Sequence, residues 1–267
     1  MKNRPLISVL MSIYNCESTL EEAVSCIHNQ TYTNWELILI DDCSFDDTYN
    51  LAKRIAETDD RIKLFKNDRN LTLAPTLNGC LEKASGEYIA RMDGDDICAL
   101  DRFEKEITFL ENHPEYALVS CQMDLFDDNG VYGTVKYKEK PEKSDFANGS
   151  PICHAGCMMR KSVIDELKGY DVSTEKERIE DYDLWIRMYQ AGYKAYNLQE
   201  VLYSMRDDRN AIKRKKFKFR LTEYKLKKKM CKSFDLPLKC KLLAYKPIIL
   251  GLIPTPLYSV LHKKKYS

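Results

Sequence analysis

Several devices that commonly hold ligands are missing from this chain. Neither G-x-G-x-x-G nor G-x-x-x-x-G-K-[S/T] occurs, so the glycine-based ways of cradling a phosphate are excluded. The ten cysteines include no C-x-x-C pair, which argues against a zinc ribbon or a thioredoxin-type redox motif. Cys153 and Cys157 could be metal ligands, but without a second pair buried thiols are the favoured reading. No stretch reaches the about 20 consecutive apolar residues that a spanning helix needs. "MKNRPLISVLMSIYN" starts basic, but its apolar run is short and ends in polar residues rather than a small-residue cleavage site. No secretory leader is therefore expected, and the cysteines read as reduced thiols of a cytosolic protein. Residues 1–209 carry no internal repeat and no low-complexity segment.

What is present is a divided chain. Its 267 residues, 44% of them hydrophobic, suit one large domain with a real core and an appendage. The net charge of +1 conceals two opposite halves: residues 1–209 carry 25 Lys and Arg against 39 Asp and Glu, whereas residues 210–267 carry 17 against 2. Such asymmetry points to separate jobs.

The first hundred residues alternate two periodicities. "LISVLMSIYN" (6–15), "WELILIDD" (35–42), "RIKLFKN" (61–67) and "EYIARM" (87–92) read as buried strands. Between them, 18–30, 44–58 and 74–85 read as helices, with Ser18 and Ser44 as caps and Asp46 and Asp47 in a first turn, where the helix dipole favours negative charge. This order predicts a mostly parallel α/β sheet with helices on both faces. Such sheets bind ligands beyond the carboxyl ends of their strands, near a switch point. Asp41, Asp42, Asp93 and Asp95 fall at such ends. Later, 100–113 and 179–193 read as helices, 116–128 and 131–139 as strands around an Asn129-Gly130 turn, and 201–205 as a last strand.

In "GEYIARMDGDDICALDRFEKEI" (86–107), Asp93, Asp95 and Asp96 crowd the mouth of a buried strand. Two unit charges 5 Å apart repel by roughly 3 kcal/mol at an effective dielectric near 20. A divalent metal, a nearby arginine or solvent must offset this; the bland alternative is that the acids cap the next helix. With no phosphate loop, a pyrophosphate needs a cation, and carboxylates holding Mg²⁺ or Mn²⁺ supply one. A second acidic group, "IEDYDLW", opens a helix where acids are favoured anyway; its functional reading is a general base.

Taken together, "PLISVLMSIYNCESTLEEAVSCIHNQTYTNWELILIDDCSFDDT", "GEYIARMDGDDICALDRFEKEI", "HAGCMMRKSV" and "EDYDLW" resemble family 2 glycosyltransferases over residues 5–206. The resemblance implies an inverting, nucleotide-sugar-dependent enzyme of the GT-A fold that uses Mn²⁺ or Mg²⁺. It implies that Tyr14 and Asp42 contact the donor base, that Asp93 lies near the ribose and that Asp95 binds the metal, with Asp96 as rival ligand. It makes Asp181 the base that activates the acceptor hydroxyl, and places Arg206 opposite the pyrophosphate. His154 matches a segment that lines the acceptor pocket, against the plainer reading of a structural histidine. Residues 1–98 become the nucleotide-binding half and 99–209 the acceptor half. The chain departs from the family where glycine is usual: at Cys43, and in the segment after Asn70, which reads "NLTLAPTLN". A histidine common two positions beyond the arginine is here Asp208. The Q-x-x-R-W motif of processive synthases is absent, so one sugar per acceptor is expected. A same-fold nucleotidylyltransferase would need a Gly-rich, Arg-containing amino-terminal signature that "ISVLMSIYN" lacks.

The tail, 210–267, interleaves lysines with Phe217, Phe219, Leu221, Tyr224 and Leu226, then turns apolar with three prolines and closes on "KKK". The expectation is a peripheral helical tail on an anionic membrane surface at the cytoplasmic face, rather than nucleic acid; folding back on the acidic domain is the alternative. The resulting reading is transfer of one sugar, from a UDP-sugar by preference, to a glycan or lipid-linked acceptor in bacterial surface polysaccharide assembly. The alternative is a non-catalytic scaffold of the same fold.

Overall fold

A computed structural model describes residues 4–173, 178–206 and 217–252. Its first half is a wound parallel sheet: β1 (Ile7–Ile13) pairs with β2 (Trp35–Asp41) on one side and β4 (Tyr88–Arg91) on the other, and β2 pairs with β3 (Ile62–Lys66), all in parallel. Both β1 and β2 are apolar along nearly their whole length because both of their faces are covered. α1 (Leu20–His28), α2 (Thr48–Ala56) and α3 (Leu73–Lys83) make the crossovers. α1 turns Leu20, Ala23, Val24 and Ile27 inward at helical spacing. The order β3-β2-β1-β4 reverses direction between β1 and β4. That reversal opens a crevice at the carboxyl ends of the two strands.

The second half departs from pure alternation. After β5 (Ile97–Cys98) and α4 (Arg102–Asn112), β6 (Leu118–Asp127) and β7 (Gly130–Val135) form the hairpin expected around Gly130, whose φ of 104° suits a turn glycine. A 3-10 turn, Asp145–Asn148, and a short β8 (Met158–Arg160) follow, then α5 (Lys161–Glu166), α6 (Glu180–Gln190) and β9 (Ala195–Arg206). β8 lies antiparallel between β4 and β6 and joins the two halves into one nine-stranded sheet, while β6 and β9 run parallel. Three residues carry too little periodicity to announce a strand, so β8 had no signal in the sequence. β9 is longer than the expected 201–205 because its amino-terminal stretch, "AYNLQE", has polar and exposed positions.

The tail contributes α7 (Phe217–Ser233), α8 (Leu238–Leu243) and α9 (Lys246–Gly251). Leu226, Met230, Cys231, Cys240 and Ala244 join the apolar cluster that holds Phe146, Tyr182, Trp185 and Tyr189. Its described part is thus folded against the acidic domain through one face. Lys227 is buried there, pairing with Glu223 at 3.1 Å and lying 5.9 Å from the centre of the Tyr182 ring.

Candidate active site

A cavity of about 870 Å³ opens at the β1/β4 reversal. Its wall includes Tyr14, Asp42, Asp93, Asp95 and Arg206, five residues that the sequence had singled out. Glu180 joins them from the first turn of α6; Asp96, His154 and Asp181 are not part of this wall, Asp96 being buried and the other two partly exposed.

Tyr14 follows β1 and is half exposed, its ring edge-on to Phe45 at 6.1 Å. Asp42 follows β2 and is almost wholly buried. Its Oδ1 accepts from Asn67 Nδ2 and from the Leu71 backbone N–H, both at 2.8 Å, and its Oδ2 accepts from the Thr72 N–H at 2.9 Å. Asp42 therefore shapes the 70–72 loop as well as facing the cavity. Both departures from glycine adjoin Asp42, Cys43 in sequence and Thr72 through its N–H, and both have positive φ: 62° at Cys43 and 73° at Thr72. L-residues occupy that region at a cost.

The crowding of Asp93, Asp95 and Asp96 is resolved unequally. Arg91, buried at the end of β4, donates to Asp93 Oδ1 at 2.6 Å and to the Met92 carbonyl at 2.6 Å. Asp96 accepts from the Tyr203 hydroxyl at 2.7 Å and from the Arg206 N–H at 2.8 Å. Tyr203 Oη in turn accepts from the Asp93 N–H at 3.2 Å. Burial, with the charges of Asp93 and Asp95, pushes the Asp96 carboxyl well above the usual carboxylate range. Asp95 points into the open cavity, and among the described residues no cation is paired with its carboxylate. Desolvation first, then Asp93, raises its pKa, as expected of an acid awaiting a positive charge. Arg206 donates from Nε to the Asp95 carbonyl at 3.0 Å and from Nη2 to Glu22 at 2.6 Å.

No cluster of three or more His, Cys, Asp or Glu suited to a metal occurs among the described residues. One free carboxylate beside a cavity instead fits an ion of the magnesium type, which takes one or two protein carboxylates and completes its shell with phosphate and water.

On α6, Asp181 is largely buried, and burial, then Glu180, pushes its pKa up to about 6. Glu180 shifts upward as well. Asp183 is tied to Arg187 at 2.8 Å, and Arg187 also donates to the Leu167 and Gly169 carbonyls, which pins α6 to the end of α5. His154 Nε2 lies 2.8 Å from the Tyr170 hydroxyl, and its ring is edge-on to Trp185 at 5.8 Å. Burial and the Arg91 charge hold that imidazole neutral, well below its ordinary pKa.

Two residues of this network went unassigned in the sequence. Arg91 carried a signal, a charge inside an otherwise apolar strand two positions before Asp93; Tyr203 carried none. Asp208 lies outside the described residues.

A wound α/β sheet with this reversal, acids after β2 and β4, and a mixed second half is the GT-A fold of nucleotide-sugar glycosyltransferases. The chain belongs to glycosyl transferase family 2, whose sequence model, described as Glycosyl transferase family 2, matches residues 8–168. It is 44% identical over 266 residues to the Bacillus subtilis protein EpsE, named as a glycosyltransferase, covering 99% of this chain and 96% of that one. It is 29% identical over 214 residues, 80% of this chain and 81% of the relative, to the Escherichia coli UDP-Glc:alpha-D-GlcNAc-diphosphoundecaprenol beta-1,3-glucosyltransferase WfgD. Among solved structures, the mannosyltransferase PcManGT of Pyrobaculum calidifontis in complex with GDP-Man and Mn²⁺ superposes with a TM-score of 0.69 at 20% identity, covering 96% of this chain and 72% of that one. The chain is thus an enzyme of the glycosyltransferase class. Among the described residues no helix is long and apolar enough to cross a membrane.

Proposed function

We propose that this enzyme transfers a single sugar, with inversion, from a nucleotide-diphospho-sugar to a hydroxyl of a glycan or lipid-linked acceptor, in the assembly of a bacterial surface polysaccharide at the cytoplasmic face of the membrane. The observation that carries the reading is the unequal treatment of the three acids. Asp93, which shares the cavity wall, is paired with Arg91, and Asp96 is held by Tyr203 and the Arg206 N–H; of the three, Asp95 faces the cavity with no partner to its carboxylate among the described residues. With the donor diphosphate, Asp95 would hold Mn²⁺ or Mg²⁺, which would stabilise the negative charge of the leaving nucleotide. Arg206, on the same wall, adds positive charge on the diphosphate side.

Asp181 serves as the base. Its carboxylate takes the acceptor hydroxyl proton as that oxygen attacks the anomeric carbon, and the bond from that carbon to the diphosphate breaks on the opposite side. A pKa of about 6 suits a base working near neutrality. Asp93 faces the ribose, and Tyr14 with Asp42 the base. His154, paired with Tyr170 behind α6, supports the acceptor side.

The lone-pair count at Asp42 favours a pyrimidine with one ring N–H, uracil or thymine, over guanine. Oδ1 already accepts twice and Oδ2 once, which leaves one acceptor site on Oδ2. Uracil offers one ring N–H there, whereas guanine presents an N–H and an adjacent amino group. WfgD, named for UDP-Glc and a diphosphoundecaprenol acceptor, points the same way. Calorimetry with UDP, GDP, dTDP and CDP, with and without Mn²⁺, tests the reading on wild type and Asp95→Asn. Mn²⁺-dependent binding of UDP that Asp95→Asn loses is expected. Metal-independent binding would reject the assignment of Asp95, and preference for GDP would reject the count at Asp42.

A further inference from the structure

Five large apolar side chains of α8, α9 and their ends face solvent. Leu238, Leu242, Tyr245, Ile249 and Leu252 are 71%, 63%, 48%, 61% and 73% exposed. They recur every three or four residues, while Cys240 and Ala244, between them, are buried against the domain and Pro247 is buried as well. The exposure is therefore a property of one helical face and not scatter. α7 extends this face. Its Tyr224 ring lies 5.0 Å from that of Tyr245, and a Cβ added at Gly251 would come within 2.9 Å of the Phe217 ring. Phe217 and Leu221, on α7, are themselves 49% and 39% exposed. Contiguous apolar surface of this kind marks an interaction site.

The rim identifies the partner. Lys218, Lys225, Lys228, Lys239, Lys241 and Lys246 are all exposed around these helices, and Asp235 is the one exposed acid among the described residues of the tail. Protein interfaces are depleted in lysine, and a second copy would set lysine against lysine. A bilayer with anionic headgroups accepts both features: apolar side chains enter the acyl boundary and lysines reach the headgroups. From Leu252, on this face, the chain continues as "IPTPLYSVLHKKKYS", which repeats the same mixture of apolar and basic residues.

We infer that the α7–α9 face is a docking surface for an anionic lipid bilayer, with Leu242 and Ile249 at its centre. The inference rests on the reading above in one respect: it places a lipid-linked acceptor beside α6, since α7 packs over Tyr182, the neighbour of Asp181. The docking itself requires neither donor nor metal, so the two can fail separately.

The test is flotation of the full chain with vesicles of phosphatidylcholine alone and of phosphatidylcholine mixed equally with phosphatidylglycerol, without nucleotide. Wild type should float with the anionic vesicles, and the double variant Leu242→Glu, Ile249→Glu should lose at least about tenfold in partitioning, while UDP binding and thermal melting stay unchanged. Lys239→Glu with Lys246→Glu should lower flotation on anionic vesicles and leave the weak binding to phosphatidylcholine as it was. Undiminished flotation of the double leucine–isoleucine variant would overturn the inference. A wild-type dimer in sedimentation velocity that the same variant converts to monomer would also overturn it, in favour of a second copy. Ile249→Trp should add fluorescence that shifts to the blue when anionic vesicles are added. A signal already blue without vesicles would mean that another part of the chain covers the face, again against the inference.

Discussion

The Thr72 N–H reaches Asp42 Oδ2 across 2.9 Å from a backbone held at φ 73° and ψ 176°. That conformation is essentially reserved for glycine, and a residue with a side chain there is strained by roughly 1–3 kcal/mol. The carboxylate of Asp42 keeps the loop in place despite this. Thr72→Gly should therefore stabilise the protein by about 1 kcal/mol, the released strain being partly offset by the greater freedom of glycine in the unfolded chain. Urea denaturation measures it. A loss of stability would show that the Thr72 side chain contributes more than its backbone costs.

With Asp181 as the proposed base, catalysis should depend on pH. Transfer should rise as pH rises through about 6, because the base acts only when deprotonated. Asp181→Asn should abolish transfer at every pH with UDP affinity nearly intact, whereas Glu180→Gln should keep a measurable rate. The reverse pattern would move the base to Glu180.

The same carboxyl has a signature in stability. Its pKa in the folded state lies above the ordinary 3.8, so the folded protein holds its proton more tightly than the unfolded one. That contribution is complete below the ordinary value and is lost as pH rises through about 6. Asp181→Asn, free of this loss, should melt higher than wild type near pH 8, by the equivalent of about 3 kcal/mol, with the gap narrowing under acidic conditions. Scanning calorimetry at several pH values checks the sign.

Asp95 and Asp96 should separate cleanly. Asp96→Ala leaves the Tyr203 hydroxyl and the Arg206 N–H without an acceptor, at about 1–3 kcal/mol for each group that stays buried and unpaired. Thermal melting should fall accordingly. Asp95→Asn removes a charge that is repelled by Asp93, so melting should hold or rise while metal-dependent nucleotide binding disappears. Exchanged phenotypes would make Asp96 the metal ligand.

Arg91→Met should be destabilising as well. It strands Asp93 beside two other acids; with Arg91 buried but Asp93 partly exposed to the cavity, the cost should be about 3 kcal/mol, the lower end of the range for a buried pair. Arg91→Lys should recover part of this, since an ammonium can serve Asp93 but cannot match the fork that also holds the Met92 carbonyl. Chemical denaturation of both variants provides the comparison.

The amino-terminal half was legible because each strand is a pure apolar run and each helix has its own period; β1 to β4 and α1 to α3 follow the sequence closely. Beyond Asn112, short elements defeat periodicity. β5 spans two residues and β8 three, and both owe their place to pairing with distant strands. At the site, Tyr14, Asp42, Asp93, Asp95 and Arg206 were all readable, and the cavity gathers them. The division of labour among the acids was not. It depends on Tyr203, more than a hundred residues away, and no local pattern reports such a contact. The tail's charge was evident in the sequence. That one of its faces would fold inward was only the alternative reading, because Leu226, Met230, Cys240 and Ala244 are spread over α7 and α8 and its cap.

The bond from Tyr203 to Asp96 also fixes when the enzyme becomes complete during synthesis. β1 to β4 leave the ribosome early and can wind with only one another, as amino-terminal units of growing chains do. The acidic turn after β4 cannot. Its brace lies near the end of β9, so the turn waits for about a hundred further residues to be translated. A nascent chain therefore carries a finished scaffold long before its acidic turn is braced, and the complete site arrives with β9.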